Sequence, residues 1–262
     1  MKLLVNGLQI GYDILGENGY PIVLIQGLGL DRTIWMKMTS RYMQDYRVIL
    51  PDVRGHGESD APEGTYTMSL LSDDLAGLLD SVGINKAVVC GHSMGGYIAL
   101  AFAAMYPERL AGLGLITSRA DADTEKKRKG RYKMVKEIKS RGSIALAENL
   151  APRLTKDAEI IRKAYDLIVR NQSQGLIGAV YGLAERPDRT RLLPAIHVPA
   201  LVVTGKEDQI ITPDYSQKMA SAFPNGLLIN LLGVGHMPML EAPEKMSIEI
   251  INLMEKFMER SV

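Results

Sequence analysis

The amino-acid sequence predicts an α/β fold: a mainly parallel sheet with helices on both faces, broken once by a helical insertion. Three observations carry this reading. Eight short strand-like runs occur along the chain, and most are continuously apolar rather than alternating, the pattern of strands covered on both faces. Stretches with apolar residues at helical spacing lie between them. The alternation then lapses over residues 121–195, where no strand-like run occurs.

Each element has its own signal. Lys2–Val5 and residues 10–15 flank Asn6-Gly7, a dipeptide suited to a two-residue hairpin turn. Residues 21–25 (PIVLI) form a compact apolar run that stops at Gln26-Gly27-Leu28-Gly29, and residues 47–50 (RVIL) form another, closed by Pro51-Asp52. Over residues 68–82, Leu71, Leu75, Leu78, Leu79 and Val82 recur on one helical face, and Gly83 supplies the stop. Residues 87–90 (AVVC) read as a buried strand leading directly into Gly91-His92-Ser93-Met94-Gly95-Gly96. The helix that follows, 93–106, ends before Pro107, and Leu110–Ile116 is the next strand. The sheet resumes at residues 198–205 and again at Gly226–Leu231, and a helix over 243–258 closes the chain.

Residues 1–120 and 196–262 thus form one core, and residues 121–195 a helical cap whose two ends must lie close together for the sheet to stay continuous. The cap carries 17 Lys and Arg against 10 Asp and Glu, although the whole chain has a formal charge of only +1. Its first helix, over 123–140, begins with Lys126-Lys127-Arg128-Lys129 and has a thin apolar seam of Tyr132, Val135 and Ile138. A solvated helix face explains this pattern better than a recognition surface.

Composition narrows the class. The 262 residues, 46% hydrophobic and 23% charged, suit one large domain with ample core material. A near-zero net charge argues against a nucleic-acid partner. The single cysteine, Cys90, excludes an intramolecular disulfide and cysteine-rich zinc sites. Leu3-Leu4-Val5 is far shorter than a signal-peptide core, and no run approaches the ~20 apolar residues of a membrane span. The expectation is a cytoplasmic protein with no membrane partner; a homo-oligomer is left open.

The strongest chemical signal is Gly91-His92-Ser93-Met94-Gly95. A G-x-S-x-G pentapeptide is common by itself, but here it follows a buried strand and opens a helix, the context a nucleophile elbow requires. Gly91, Gly95 and Gly96 give clearance for a sharp turn that lifts the Ser93 hydroxyl above the sheet edge. The bland alternative is a helix N-cap serine. A serine needs a base, and four histidines are available. His92 is inside the elbow and should point away, His56 sits in the loop Asp52-Val53-Arg54-Gly55-His56-Gly57-Glu58-Ser59, and His197 precedes a strand. His236 lies in a strand-exit loop, where an open α/β sheet gathers its site, and is the choice. Asp208, after the strand that ends at Gly205, is the carboxylate expected to orient it; Glu207 and Asp121 are the competitors. Backbone N–H groups of Leu28 and Met94 are the expected oxyanion donors. Leu28, Trp35, Met94 and Met237 are candidate substrate-binding residues because they flank the catalytic loops.

These motifs together resemble the α/β-hydrolase superfamily over essentially the whole chain. The carriers are the strand with Gln26-Gly27, the loop from Asp52 to Ser59, Gly91 to Gly96, Val198-Pro199 with Gly205-Lys206-Glu207-Asp208, and Gly235-His236 with Glu241-Ala242-Pro243-Glu244. Within it the sequence is similar to small capped carboxylesterases, 3-oxoadipate enol-lactonases and cofactor-free haloperoxidases. The resemblance implies an eight-stranded α/β-hydrolase sheet and the chain order Ser93, Asp208, His236 for the triad. No cofactor is expected and no metal is required, since four scattered histidines do not make a ligand set. One departure stands out: the family usually has His-Gly where this chain has Gln26-Gly27, and the resemblance implies a supporting role for that side chain.

The expected reaction is acyl transfer on a small ester through an acyl-enzyme. An aspartate at the elbow would have signalled dehalogenase or epoxide-hydrolase chemistry. Rivals using the same triad are enol-lactone hydrolysis, C–C cleavage of a diketone, thioester hydrolysis and perhydrolysis. The rival outside the enzymes is a ligand-binding protein on a hydrolase scaffold; such relatives lose a triad member, and this chain keeps all three.

Overall fold

The computed structural model describes residues 1–17 and 19–259. Eight strands form one sheet: β1 (Lys2–Val5), β2 (Leu8–Leu15), β3 (Ile22–Ile25), β4 (Val48–Pro51), β5 (Ala87–His92), β6 (Leu110–Ile116), β7 (Ala200–Gly205) and β8 (Gly226–Leu231). Their order is β1-β2-β4-β3-β5-β6-β7-β8. β2 runs antiparallel to both β1 and β4, and every pairing from β4 to β8 is parallel. This is the mainly parallel sheet that the apolar runs predict. β3, β4, β5, β6 and β7 are buried at every position, whereas β1 and β8, at the two edges, are partly exposed.

Asn6 and Gly7 both take positive φ, 50° and 80°, and Val5 pairs with Leu8. A two-residue turn with both residues left-handed matches the twist of the strands it joins. Two helix layers cover the sheet. α2 (Met68–Ser81) packs on α3 (Met94–Met105), and α1 (Met36–Tyr42) packs on α10 (Pro243–Glu259). α8 (Pro213–Ala222) packs on β7 and β8, and a single turn, α9 (Pro238–Glu241), precedes α10. α1 carries no signal of its own in the sequence: MKMTSRY is too short to show a period, and its form comes from burying Met38 and Thr39.

Between β6 and β7 lie four helices: α4 (Glu125–Arg141), α5 (Ile144–Leu150), α6 (Ala158–Arg170) and α7 (Ser173–Glu185). Two hydrogen bonds tie the ends of this segment together, Arg189 N–H to Ala120 O at 2.9 Å and Arg186 Nη2 to Asp121 O at 3.1 Å. α7 docks on the core through glycines. A Cβ on Gly175 would lie 2.3 Å from Gly55 O, and one on Gly182 only 1.7 Å from Tyr66 O. The helix therefore lies on the backbone of the loop after β4, with Tyr66 N–H donating to Gly178 O at 2.9 Å.

That close approach is testable. Gly182→Ala should destabilise the protein by at least about 2 kcal/mol, because the added methyl has only backbone to displace. Gly130→Ala, in α4 where an added Cβ meets nothing within 4 Å, should stabilise by up to about 1 kcal/mol. Denaturant unfolding of the two variants checks the contrast.

Candidate active site

The site lies beyond the carboxyl ends of the parallel strands, where each strand hands over to a loop. Ser93 joins β5 to α3 with φ 52° and ψ −111°, a backbone region that a residue with a side chain rarely occupies. Three missing Cβ atoms make the turn feasible. A Cβ on Gly91 would sit 2.1 Å from Gly95 C, one on Gly95 2.3 Å from Ile25 O, and one on Gly96 2.3 Å from Ser118 Oγ. The turn is held from outside by Ser93 N–H donating to Ile116 O at 2.9 Å and Ser118 Oγ donating to Ser93 O at 2.8 Å.

His236 and Asp208 meet in the loops after β8 and β7. His236 Nδ1 lies 2.7 Å from Asp208 Oδ2, with both side chains buried. The other carboxylate oxygen, Oδ1, accepts from Ile210 N–H at 2.7 Å and Ile211 N–H at 3.0 Å. Asp208 is thus fixed by its own loop and offers its free oxygen to the ring. A carboxylate at Nδ1 holds the proton there and leaves Nε2 as the basic nitrogen. The competitors are placed elsewhere: Glu207 is an outer residue paired with Lys156, and Asp121 lies 3.5 Å from Arg119. Nor does Asp208 cap α8, whose N-cap is Thr212.

The backbone of His236 is clamped as firmly as its ring. Its N–H donates to Leu154 O at 2.7 Å, and its carbonyl accepts from Thr117 Oγ1 at 3.1 Å and His92 Nε2 at 2.8 Å. On either side, the Glu241 carboxylate accepts from Gly235 N–H and Met237 N–H, both at 2.9 Å, and from Thr155 Oγ1 of the helical insertion, also at 2.9 Å. Glu241 lies five residues beyond the histidine on α9; the motif Glu241-Ala242-Pro243 marks the position in the sequence, but not this bracketing role.

Ser93, His236, Leu28 and Met94 line one cavity of about 390 Å3, a size suited to a small-molecule ligand. Ser93 Oγ and the His236 ring make no hydrogen bond in the structure, a contact that commonly tightens only with substrate in place. The N–H of Met94 opens α3 and so has no intrahelical acceptor. Among the described residues the N–H of Leu28 likewise makes no hydrogen bond. A Cβ on Gly27 would stand 3.3 Å from Ser93 Cβ, so the Gln26-Gly27-Leu28 loop passes directly over the serine. Gln26 is fully buried and anchors that loop, its amide donating to Pro51 O and accepting from Val53 N–H, each at 2.9 Å.

Three expectations need correction. Trp35 and Met237 do not reach the cavity; both are fully buried core residues, Trp35 beneath the short turn before α1 and Met237 beneath the His236 loop. Adjacency to a catalytic loop in sequence does not set which way a side chain points. His92 does not point away: its ring centroid is 4.9 Å from that of His236, and it lines the cavity. Burial, then the neighbouring His236, holds its pKa well below the ordinary histidine value, so the ring is neutral and Nε2 carries the donated proton. Third, the charged side of α4 is not only a solvated face. Lys127, Arg131 and Met134 on one of its faces join Arg119 and Asp123 in the cavity wall, a grouping with no local sequence signal.

The other two histidines do not line the cavity. His197 contributes a carbonyl to Asn225 Nδ2 at 2.8 Å. His56 is buried with Nδ1 3.1 Å from Arg54 O, and its loop wraps around Asp52, whose carboxylate accepts from Arg32 N–H and Glu58 N–H.

An eight-stranded sheet of this order, with a strained serine after β5 and a carboxylate–imidazole pair in the loops after β7 and β8, defines an α/β hydrolase. The chain belongs to that family: the alpha/beta hydrolase fold family matches residues 20–243. It is a hydrolase-fold enzyme with esterase and lactonase relatives. 3-Oxoadipate enol-lactonase 2 of Acinetobacter baylyi is 26% identical over 262 residues, covering 97% of this chain and 96% of the relative. A thermophilic esterase from Thermogutta terrifontis, solved with malate bound, superposes with a TM-score of 0.93 at 35% identity over 98% of both chains. The enol-lactonase from Burkholderia xenovorans superposes with a TM-score of 0.90 at 28% identity, over 97% of this chain and all of that one. Among the described residues no helix is long and apolar enough to cross a membrane.

Burial also predicts a pH dependence. Desolvation lowers the His56 pKa from 6.5 to about 4. The unfolded chain therefore binds a proton that the folded one refuses between pH 6.5 and 4, and stability falls as pH falls through that window. The loss attributable to His56 is about 3 kcal/mol. Urea unfolding across the window should show a shallower slope in His56→Gln than in the wild type.

Proposed function

We propose that the protein is a serine hydrolase of small carboxylic esters, working through an acyl-enzyme on Ser93. The observation that carries this is the buried 2.7 Å contact between His236 Nδ1 and Asp208, set in the same cavity as the strained serine. With Nδ1–H committed to Asp208, Nε2 can take the Ser93 proton as Oγ attacks the ester carbonyl carbon. The negative charge then develops on the carbonyl oxygen, for which the N–H groups of Leu28 and Met94 are the available donors. Collapse expels the alcohol, which leaves with the proton from Nε2. Water repeats the sequence on the acyl-enzyme and frees the acid.

The cavity supports a small substrate. Leu28, Leu146, Leu150 and Val180 give apolar wall, with the last three contributed by the insertion, which we read as a cap that shapes specificity. Full-length similarity to two enol-lactonases favours one second reading, opening of an internal ester by the same steps. A panel of esters and lactones compared by kcat/KM separates the two.

Ser93→Ala should reduce hydrolysis of a short-chain p-nitrophenyl ester to background and abolish labelling by a fluorophosphonate. Retention of either excludes Ser93 as nucleophile. Asp208→Asn should lower kcat by roughly 10³–10⁴-fold, whereas Glu207→Gln should leave it within about twofold; the reverse result reassigns the acid.

A further inference from the structure

Besides its apolar residues the cavity is lined by Arg119, Lys127 and Arg131, with the carboxylates Asp123 and Glu137 in the same wall. Arg119 leaves the end of β6 and is almost fully buried, with its side chain 2% exposed. Its Nη2 donates to Asp123 Oδ1 at 2.8 Å. Arg131, on α4, donates through Nε to Asp123 Oδ2 at 3.0 Å, and Arg186, just after α7, reaches Oδ1 through Nη1 at 2.9 Å. Three guanidiniums thus surround one buried carboxylate. Asp121 adds a second negative charge 3.5 Å from Arg119 Nη1, and Lys127 a fourth positive one, its Nζ 5.5 Å from the Tyr215 ring centroid.

A network built only to hold the insertion in place would close its charges and its hydrogen bonds. This one leaves both open. Nε and Nη1 of Arg119 are buried without a hydrogen-bond partner, which costs stability unless something accepts from them. Among the described residues the two terminal nitrogens of Arg131 donate to nothing, and Lys127 Nζ makes no ion pair. Asp123 is engaged at both oxygens, Oδ1 by Arg119 and Arg186 and Oδ2 by Arg131 Nε, so it meets each arginine through a single nitrogen. Desolvation, then the charge of Arg119, lowers the Lys127 pKa against the opposing pull of Asp123 and Asp121. Arg119, Asp123, Lys127 and Arg131 all line the same cavity as Ser93 and His236.

The geometry points to an anion subsite: Arg131, Arg119 and Lys127 receive a carboxylate carried by the substrate, so the enzyme acts on esters that bear a second, ionised acid group. The reading rests on the hydrolase function proposed above and narrows it. A guanidinium pinned by one nitrogen presents its remaining donors in a fixed fork that suits a planar carboxylate. Asp123 is the positioning residue: it aims the arginines and keeps their combined charge from unfavourable excess. The apolar wall takes the hydrocarbon between the two acid groups.

The test is a selectivity ratio. kcat/KM is measured for mono-p-nitrophenyl glutarate and for p-nitrophenyl valerate, a neutral ester of similar length. A second pair, butyryloxyacetate and ethyl butyrate, puts the carboxylate on the alcohol side. In one of the two pairs the ratio of anionic to neutral substrate should fall about tenfold or more in Arg131→Gln and in Lys127→Gln, and the pair that responds tells which half of the ester carries the carboxylate. The drop should shrink as salt screens the wild-type site. Lys127→Gln guards against a folding defect, since that side chain is exposed and its loss breaks no ion pair. Ratios unchanged within about twofold in both variants, for both pairs, overturn the subsite. If the wild type hydrolyses the neutral ester in a Ser93-dependent manner, that result leaves the hydrolase reading standing. If no ester is turned over and Ser93 is not labelled, the hydrolase reading falls and takes the subsite with it.

Discussion

Everything chemical in this molecule depends on one turn that is hard to make. Ser93 takes a backbone conformation costing about 1–3 kcal/mol, and it persists because the surroundings leave no alternative. Glycines on both sides let β5, α3 and the end of β3 approach backbone to backbone, and hydrogen bonds from Ser93 N–H and to Ser93 O fix the peptides on either side. Relaxing the turn would move the Ser93 hydroxyl and the first N–H of α3 together, so the proposed nucleophile and its nearest proposed oxyanion donor are set by the same constraint. The Gly27 loop adds a third member by packing against the same residue and against His92.

Much of this was legible in the sequence because the signals are local. Apolar runs mark the eight strands, Asn6-Gly7 marks the hairpin, and Gly91 to Gly96 mark the turn, each within a few residues. Loop placement after a strand pointed to His236 and, with the Ser…Asp…His chain order, to Asp208 over Glu207 and Asp121; the structure brings His236 and Asp208 to hydrogen-bond distance. Gln26 has a buried anchoring role because its amide can donate and accept at once.

What was not legible depends on contacts between distant segments or on side-chain direction. Asp123 binds Arg119, Arg131 and Arg186, which arrive from the end of β6, from α4 and from beyond α7. Nothing local distinguishes Arg131 and Lys127, which line the cavity, from the charged residues beside them that do not. Trp35 and Met237 show the opposite failure: large apolar residues beside the site, yet turned into the core. His92 turns inward because its Nε2–H finds the His236 carbonyl 144 residues away, a partner that only the folded chain provides.

The hold of the insertion on the histidine loop has a mechanical consequence. Leu154 O and Thr155 Oγ1 are bound to His236 N–H and to the Glu241 carboxylate, so residues 154 and 155 behave as a latch on the His236 loop. Lifting this edge to widen the entrance would strip an acceptor from the very residue that must be aligned for reaction. On the hydrolase reading proposed above, substrate would enter past the other margins of the insertion, or reaction would wait until these two bonds re-form.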